Sequence, residues 1–91
     1  MTNLILVTYD LNHHEKWNDY KKLKDAINTY LNNKKILYSV YIVKTNDTAQ
    51  QVCDKLLPCI DENDRLFCTE IKSSTSQGRL SSELWKWIQE I

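Results

Sequence analysis

Glycine and proline each occur only once in the chain, as Gly78 and Pro58. Disordered chains are usually rich in both residues and poor in apolar ones, whereas apolar residues form 42% of this sequence. The composition therefore predicts a globular protein. For 91 residues we expect one domain, because a second core would be too small to be stable, and we expect self-association to add stability.

The sequence also carries no net charge, since 12 Lys and Arg residues balance 12 Asp and Glu residues. Proteins that bind nucleic acid over a broad surface are usually basic overall. The balance argues against that class and leaves only a local basic face open. No apolar run approaches the ~20 residues that span a membrane, and the amino terminus does not have the flanks of a signal peptide. We expect no membrane contact and a cytoplasmic location.

Cysteine is sparse as well. Cys53, Cys59 and Cys68 are odd in number and match no metal-ligand spacing. Each stands where a small apolar residue would serve. We therefore expect free buried thiols, and we do not expect disulfide bonds or a redox or ligand role.

Hydrophobic periodicity and capping signals predict the order of the secondary-structure elements. Apolar residues at three- and four-residue steps indicate a first helix over 15–32. Thr48 followed by Gln51 is a capping-box pattern that would begin a second helix, which Pro58 should end or distort. Ser81 can cap a third, short helix. The predicted strands are 4–10, 36–44 and 65–71, and the middle segment is either one bent strand or two short strands broken near Ser39.

This order predicts an α+β protein with a ferredoxin-like βαββαβ sandwich. Both helices would lie on one face of an antiparallel sheet, and a C-terminal helix would follow. We expect a ferredoxin-like domain over 1–72, a linker over 73–79 and a helical tail over 80–91. Both the even-numbered and the odd-numbered residues of segment 36–43 are mostly apolar, so both sides of this strand should be covered. The second face of the sheet should therefore not be exposed to water. A second subunit stacked face to face is the simplest cover.

Asp10 is the acidic residue with the most specific setting. The apolar run 4–9 ends abruptly at it, and a polar stretch follows. A carboxylate at the end of a strand lies at the rim of the sheet, where it can meet a metal, a substrate or a second subunit. The alternative is that Asp10 caps a turn or the amino end of the first helix.

Several short motifs resemble one known family. The first strand contains LVTYD at 6–10, the central segment contains YSVY at 38–41, and the last strand begins with DRLF at 64–67. These motifs resemble the small CRISPR-associated endoribonuclease of the spacer-acquisition complex. Residues 41–45 and 61–67 look more closely like its SinR-like and VapD-like stand-alone relatives. The resemblance covers roughly residues 3 to 72 and leaves out the tryptophan-bearing tail.

The resemblance implies a ferredoxin-like homodimer in which the first-strand aspartate of each subunit faces its mate. In proposed nuclease members these two carboxylates hold a divalent metal that activates water. By position the metal ligand is Asp10, and the catalytic candidates are Asp10 and Ser39. Oxygen ligands suit Mg²⁺ or Mn²⁺. The residues expected to contact nucleic acid are Tyr9, Lys21, Lys22, Lys34, Lys35 and Tyr41. The family often has arginines where this chain has lysines, and lysine lacks the guanidinium fork.

Each candidate also has a plainer interpretation. Tyr9, Tyr38 and Tyr41 can stack on bases, but aromatic residues in strands more often belong to a core or an interface. Ser39 can be a buried hydroxyl at a strand break. His13 and His14 can be metal ligands or a general base, but adjacent histidines in a polar loop are usually solvated. The tail can clasp a dimer, cover the core or recruit a partner.

Two functional hypotheses follow from these residues. The first is a cytoplasmic homodimer with metal-dependent nuclease activity on RNA or DNA phosphodiesters, in which lysines of the first helix and Lys34-Lys35 orient the backbone. The second is a non-catalytic dimeric adaptor, or a module that binds nucleic acid or a protein partner, in a defence or toxin–antitoxin system. The neutral charge and the apolar tail favour the second hypothesis.

Overall fold

The fold is a small α+β arrangement of one four-stranded sheet and three α-helices, counted over residues 2–11 and 17–90, which the computed structural model describes. The elements are β1 (Asn3–Asp10), α1 (Trp17–Asn28), β2 (Asn33–Leu37), β3 (Val40–Thr45), α2 (Ala49–Leu56), β4 (Arg65–Ile71) and α3 (Ser82–Gln89). The strands lie in the order β2-β3-β1-β4, and each neighbouring pair is antiparallel. The α+β class and the antiparallel sheet are as predicted.

The central apolar segment forms two strands. β2 and β3 pair as a hairpin whose connection is Tyr38-Ser39. Ser39 has a φ of 62°, in the left-handed region, which non-glycine residues seldom adopt and which occurs mostly in tight turns. Of the two predicted alternatives, two short strands broken near Ser39 is therefore the correct one. β2 begins at Asn33, three residues earlier than expected.

α1 ends earlier than predicted. Its last residue is Asn28, and the predicted start near residue 15 lies outside the described part of the chain. After the helix, the backbone N–H groups of Thr29 and Tyr30 donate to carbonyls three residues back, at 3.2 and 3.0 Å. This tightened turn is needed because β2 pairs from Asn33 onward, which leaves no room for another helical turn.

α2 begins with the predicted capping box. The Gln51 N–H donates to Oγ1 of Thr48 at 3.2 Å, and the Thr48 N–H donates to Oε1 of Gln51 at 2.8 Å. Two backbone donors at the helix start are thereby satisfied. The helix gives way to a 3₁₀ turn over Leu57–Cys59, which contains Pro58, as expected of a residue that cannot donate to the helix.

Helices α1 and α2 pack on the same face of the sheet. Leu23 and Ile27 of α1 and Val52 and Leu56 of α2 are buried there. They share one apolar cluster with inward-facing strand residues, namely Ile5, Val7, Tyr9, Tyr41 and Val43. This cluster is the main core of the protein.

α3 covers part of the opposite face. Its Ile88 is only 2% exposed and packs with Leu4 and Ile42, and both tryptophans of the helix border this second cluster. Ser81 caps the helix as predicted, since its Oγ accepts the Leu84 N–H at 3.2 Å. The face that the sequence assigned to a second subunit is thus partly covered by the chain's own tail.

Polar contacts hold the end of α3 against the sheet. The Nε1–H of Trp87 donates to Oδ1 of Asn32 at 3.0 Å. The ammonium of Lys44 lies 4.5 Å from the centre of a Trp87 ring and donates to the carbonyls of Trp87 and Glu90. A cation at the C-terminal end of a helix satisfies carbonyls that have no partner within the helix. Segment 73–79, expected to be a linker, contains a 3₁₀ turn at Ser73–Thr75.

The rest of this face has no cover among the described residues. Leu37, Val40, Thr8 and Phe67 are paired in register across all four strands and form one row on it, which we call the open row. Phe67 is 61% exposed and Leu37 is 57% exposed. The open row lies toward the end of β1 that carries Asp10, and α3 lies over the other end, around Leu4.

Two further predictions are tested by the described residues. Cys53, Cys59 and Cys68 are free thiols, as expected, although they are half-buried and not fully buried. None of the described helices combines the length and apolar character that a membrane span requires.

Candidate functional site

Asp10 lies where the sequence places it, at the last position of β1, and its side chain is exposed. It is one step beyond the open row on the same sheet face, because Thr8 is in that row and alternate strand residues share a face. Arg65 is its partner in register on β4. Asp10, Arg65 and Phe67 border one shallow pocket. The carboxylate therefore has a cationic neighbour and an apolar one.

The metal that the resemblance implies does not fit a single copy of the described chain. No three His, Cys, Asp or Glu side chains come close enough to hold an ion within 2–11 and 17–90. Mg²⁺ is commonly held by one or two carboxylates together with waters and substrate phosphates. Asp10 supplies one carboxylate, so the fit requires a second Asp10 from another copy. His13 and His14 lie outside the described residues.

Ser39 is linked to Tyr9 and not to a carboxylate. The Tyr9 N–H donates to the Ser39 carbonyl at 3.2 Å, and the two side chains are hydrogen-bonded as well. Burial raises the pKa of the Tyr9 phenol, the Tyr41 phenol adds to this, and the bond to Ser39 opposes it. A neutral phenol does not take a proton from serine at pH 7. Among the described residues, this geometry gives Ser39 a structural partner and no activating base.

Tyr9 and Tyr41 form a pair inside the core. Their ring centroids are 6.4 Å apart at an interplanar angle of 23°, and both residues are buried. Aromatic pairs at such distances stabilise a core beyond their buried area. In this position the two rings contribute to packing. Base stacking at Tyr41 stays a prediction, and its ring is buried in the described structure.

The predicted lysines divide between two locations. Lys35 pairs in register with Tyr41, on the face that carries α1 and α2, whereas Lys34 pairs with Ile42, on the face that carries α3. Neighbouring strand residues point to opposite faces. Lys34 and Lys35 therefore lie on opposite faces of the sheet, and their joint contact with nucleic acid stays a prediction.

Lys35 instead joins lysines of α1 around a groove. This groove, between α1 and the β2–β3 hairpin, has a volume of about 480 Å³. Its lining comprises Tyr9, Tyr20, Lys21, Lys24, Asp25, Asn28, Lys35, Tyr38 and Ser39. We call it the α1–hairpin groove. Four of the predicted site residues meet here (Tyr9, Lys21, Lys35 and Ser39), while Lys22 and Lys34 are not part of its lining.

Contacts between charged and aromatic groups mark the groove walls. Nζ of Lys21 lies 2.7 Å from Oδ2 of Asp25, four residues later on the helix. Nζ of Lys35 lies 5.4 Å from the Tyr38 ring centroid, and that ring is 85% exposed. Cations beside an accessible aromatic ring suit an anionic ligand with a flat group.

Lys24 was not among the candidates from the sequence, and Tyr38 was named only as a tyrosine that can stack on bases. The spacing of three residues between Lys21 and Lys24 puts both lysines on one helix face. That spacing was the signal available for Lys24. For Tyr38 the signal was its position in a two-residue hairpin turn, where a ring is readily exposed.

No known family model matches the chain, and no curated protein sequence matches it significantly. The family resemblance therefore depends on the short motifs of the sequence, and the functional conclusions depend on the geometry described above.

Proposed function

We propose that the fold is ferredoxin-like and that the protein acts as a homodimer. The strand order supports the fold. α1 connects β1 to β2 and β3 lies between them, whereas α2 connects β3 to β4 and β1 lies between them. The shared face of the two helices supports it as well. The open row supports the dimer, since apolar surface such as Phe67 and Leu37 is stabilised when a second copy covers it.

We further propose that the dimer is a divalent-metal-dependent nuclease, similar to the CRISPR-associated endoribonucleases, that acts on RNA or DNA phosphodiesters. The observation that carries this proposal is the position of Asp10, which is exposed one step beyond the open row on the same sheet face. A two-fold axis through this end of the sheet brings two Asp10 carboxylates together. When bound, Mg²⁺ or Mn²⁺ would supply a polarised water and charge neutralisation at the phosphate.

Cleavage of labelled RNA and DNA by purified protein with Mg²⁺ or Mn²⁺ tests the nuclease. We expect Asp10→Asn to lower the rate by at least about a hundredfold, because the uncharged amide binds the cation poorly. The matched control is Glu62→Gln, which removes an exposed carboxylate outside the site and should leave the rate unchanged. Equal rates in Asp10→Asn and the wild type would show that the proposed mechanism is wrong.

The second candidate is a non-catalytic dimer that binds nucleic acid or a protein partner. Arg65 favours it, because it neighbours Asp10 on β4. A two-fold axis near Asp10 would bring the guanidinium of one copy toward the carboxylate of the other, where the two could form an ion pair. In this arrangement the partner copy's Arg65 takes the place that the nuclease hypothesis gives to a metal.

Magnesium dependence of dimerisation separates the two candidates. If Asp10 holds the metal, Mg²⁺ should tighten the wild-type dimer several-fold and have no such effect on Asp10→Asn. If Arg65 pairs with Asp10, Mg²⁺ should have no effect and Arg65→Gln should weaken the dimer. Sedimentation velocity over a concentration series measures both responses.

A further inference from the structure

We propose that the α1–hairpin groove binds one nucleotide of a single-stranded nucleic acid. The phosphate lies between Lys21, Lys24 and Lys35, and the base stacks on the ring of Tyr38. This inference rests on the proposed function and names the form of its substrate, but it concerns a different part of the surface from Asp10. Its test needs no cleavage.

The first argument is the concentration of positive charge. The chain as a whole is neutral, but the groove lining contains three lysines and one acidic residue, Asp25. The lysines come from two elements, α1 and β2, so they surround the space and do not merely follow one solvated helix face. Clefts lined by charge of one sign focus the field on a ligand of the opposite sign.

The one acidic group does not block the site. Asp25 pairs with Lys21, and both side chains of this pair are more than half exposed. Exposed ion pairs of this kind are weak because water screens them. A phosphate can therefore compete for Lys21, while Lys24 and Lys35 supply two further cations.

The second argument is the exposed ring of Tyr38. It stands at the hairpin turn, where the left-handed Ser39 fixes the backbone, and it remains largely accessible while Lys35 lies against it. An aromatic ring beside a cationic groove is the usual arrangement for binding single strands, because every base has a face that can stack. Lys35 is placed to interact with the ring and with a phosphate beside it.

The third argument is the volume of the groove, which suits one unpaired nucleotide. About 480 Å³ is within the usual range for pockets that bind one small organic ligand, and it accommodates one nucleotide. In a duplex the bases are stacked and paired inside the helix, so no base is free to lie on Tyr38. The groove should therefore prefer single strands over duplexes of the same sequence.

Fluorescence anisotropy with 5′-labelled ten-residue oligouridylate and oligothymidylate, in the presence of EDTA, tests the proposal. We expect Lys24→Gln and Lys35→Gln each to weaken binding roughly fivefold and to lower the salt slope by about 0.7. We expect Tyr38→Ala to weaken binding roughly tenfold and Tyr38→Phe to have little effect, because stacking needs only the ring. The labelled duplex should bind at least several-fold more weakly than either single strand.

The chain offers two matched controls. Lys72→Gln and Lys86→Gln each remove an exposed lysine from another part of the surface, and neither residue lines the groove. Both variants should bind like the wild type. Equal losses in these controls and in the groove variants would overturn the proposal, because they would indicate non-specific attraction. Circular dichroism before each titration confirms that the variants are folded.

Failure of this inference can be told apart from failure of the nuclease proposal. Asp10→Asn should bind the single strands normally in EDTA even where it does not cleave them. Binding without any cleavage by the wild type would support the groove and overturn the nuclease. Cleavage that depends on Asp10 but is unaffected in Lys24→Gln, Lys35→Gln and Tyr38→Ala would overturn the groove alone.

Discussion

Asp10 and Arg65 are partners in register on neighbouring strands, one step beyond the open row that crosses the sheet. Strand neighbours of opposite charge stabilise each other only modestly at an exposed position. At an interface a second copy would exclude water from the pair, which would strengthen the attraction between the charges but would also cost their desolvation. A two-fold axis near the open row would bring both charged residues of each copy to that interface.

The first prediction is that Phe67→Asp disrupts the dimer. Phe67 lies at the β4 end of the open row. A carboxylate there would be buried in the dimer without a partner, and we expect dimer affinity to fall by roughly thirtyfold or more, about 2 kcal/mol or more. Sedimentation velocity between about 1 and 100 µM measures the change. Leu57→Asp is the control, because Leu57 is also an exposed apolar residue but lies in the 3₁₀ turn after α2. A wild type that stays monomeric over this range would contradict the proposed dimer.

Local signals in the sequence account for the elements that were predicted well. The Thr48–Gln51 capping box depends on four adjacent residues, and β4 has the predicted bounds because turn residues precede a compact β-branched and aromatic segment. The end of α1 was predicted poorly because it is set by the pairing of Asn33 with Val43, ten residues later. Such long-range competition is invisible in periodicity alone.

The same division between local signals and long-range contacts applies to the candidate site. Asp10 was found because the break between an apolar strand and a polar loop is local. The α1–hairpin groove was missed because it exists only when α1 packs beside the hairpin and brings Lys24 near Tyr38. Strand alternation was enough to place Lys34 and Lys35 on opposite faces of the sheet. Coverage of the sheet by α3 depends on contacts such as Trp87 with Asn32, which are 55 residues apart.

The second prediction is that α3 contributes to folding and is not a dispensable tail. Ile88→Ala should lower the free energy of unfolding by about 2–4 kcal/mol, because it leaves a cavity against Leu4 and Ile42. Trp87→Phe should cost about 1 kcal/mol through loss of the hydrogen bond to Asn32. Urea unfolding measures both, and Gln89→Ala, at an exposed position of the same helix, is the control. Equal stability of Ile88→Ala and Gln89→Ala would mean that α3 does not dock in solution.

A contribution of α3 to folding also affects the interpretation of experiments with truncated chains. Removal of residues 80–91 would expose Leu4 and Ile42 to water and destabilise the sheet. Loss of a partner after truncation would then report unfolding as readily as a lost docking surface. Substitution of Lys86, which is exposed on α3, tests partner recruitment by the tail without this complication.

The third prediction concerns the pH dependence of stability. The Tyr30 hydroxyl donates to Oδ2 of Asp47 at 2.9 Å, which ties the end of α1 to the loop after β3. Burial raises the pKa of Tyr30 above its usual value, and the hydrogen bond and charge of Asp47 raise it further. Tyr30→Phe should therefore cost about 1 kcal/mol at pH 8.

The sign of the pH effect follows from the raised pKa. The folded state binds the phenolic proton more tightly than the unfolded state, so the contribution of Tyr30 is complete below about pH 10, the value for an unfolded tyrosine. It is lost as the pH rises through the folded value. The stability difference between wild type and Tyr30→Phe should therefore shrink as the pH rises above about 10, and a difference that grows would contradict the assignment.

The fourth prediction is that Cys68 is unreactive while the protein is folded. Burial raises the pKa of the Cys68 thiol to about 12, and the adjacent Cys53 thiol, to which it is hydrogen-bonded, adds to the shift. Only the thiolate reacts with iodoacetamide, so at pH 8 alkylation should be slower than that of an ordinary thiol by about a thousandfold. Mass spectrometry of peptides after timed alkylation measures the rate, and the urea-unfolded chain is the control. Cys53→Ala should speed the reaction only modestly, because burial is the larger cause of the shift. Equal rates in the folded and unfolded chains would show that strand β4 and helix α2 do not enclose this thiol in solution.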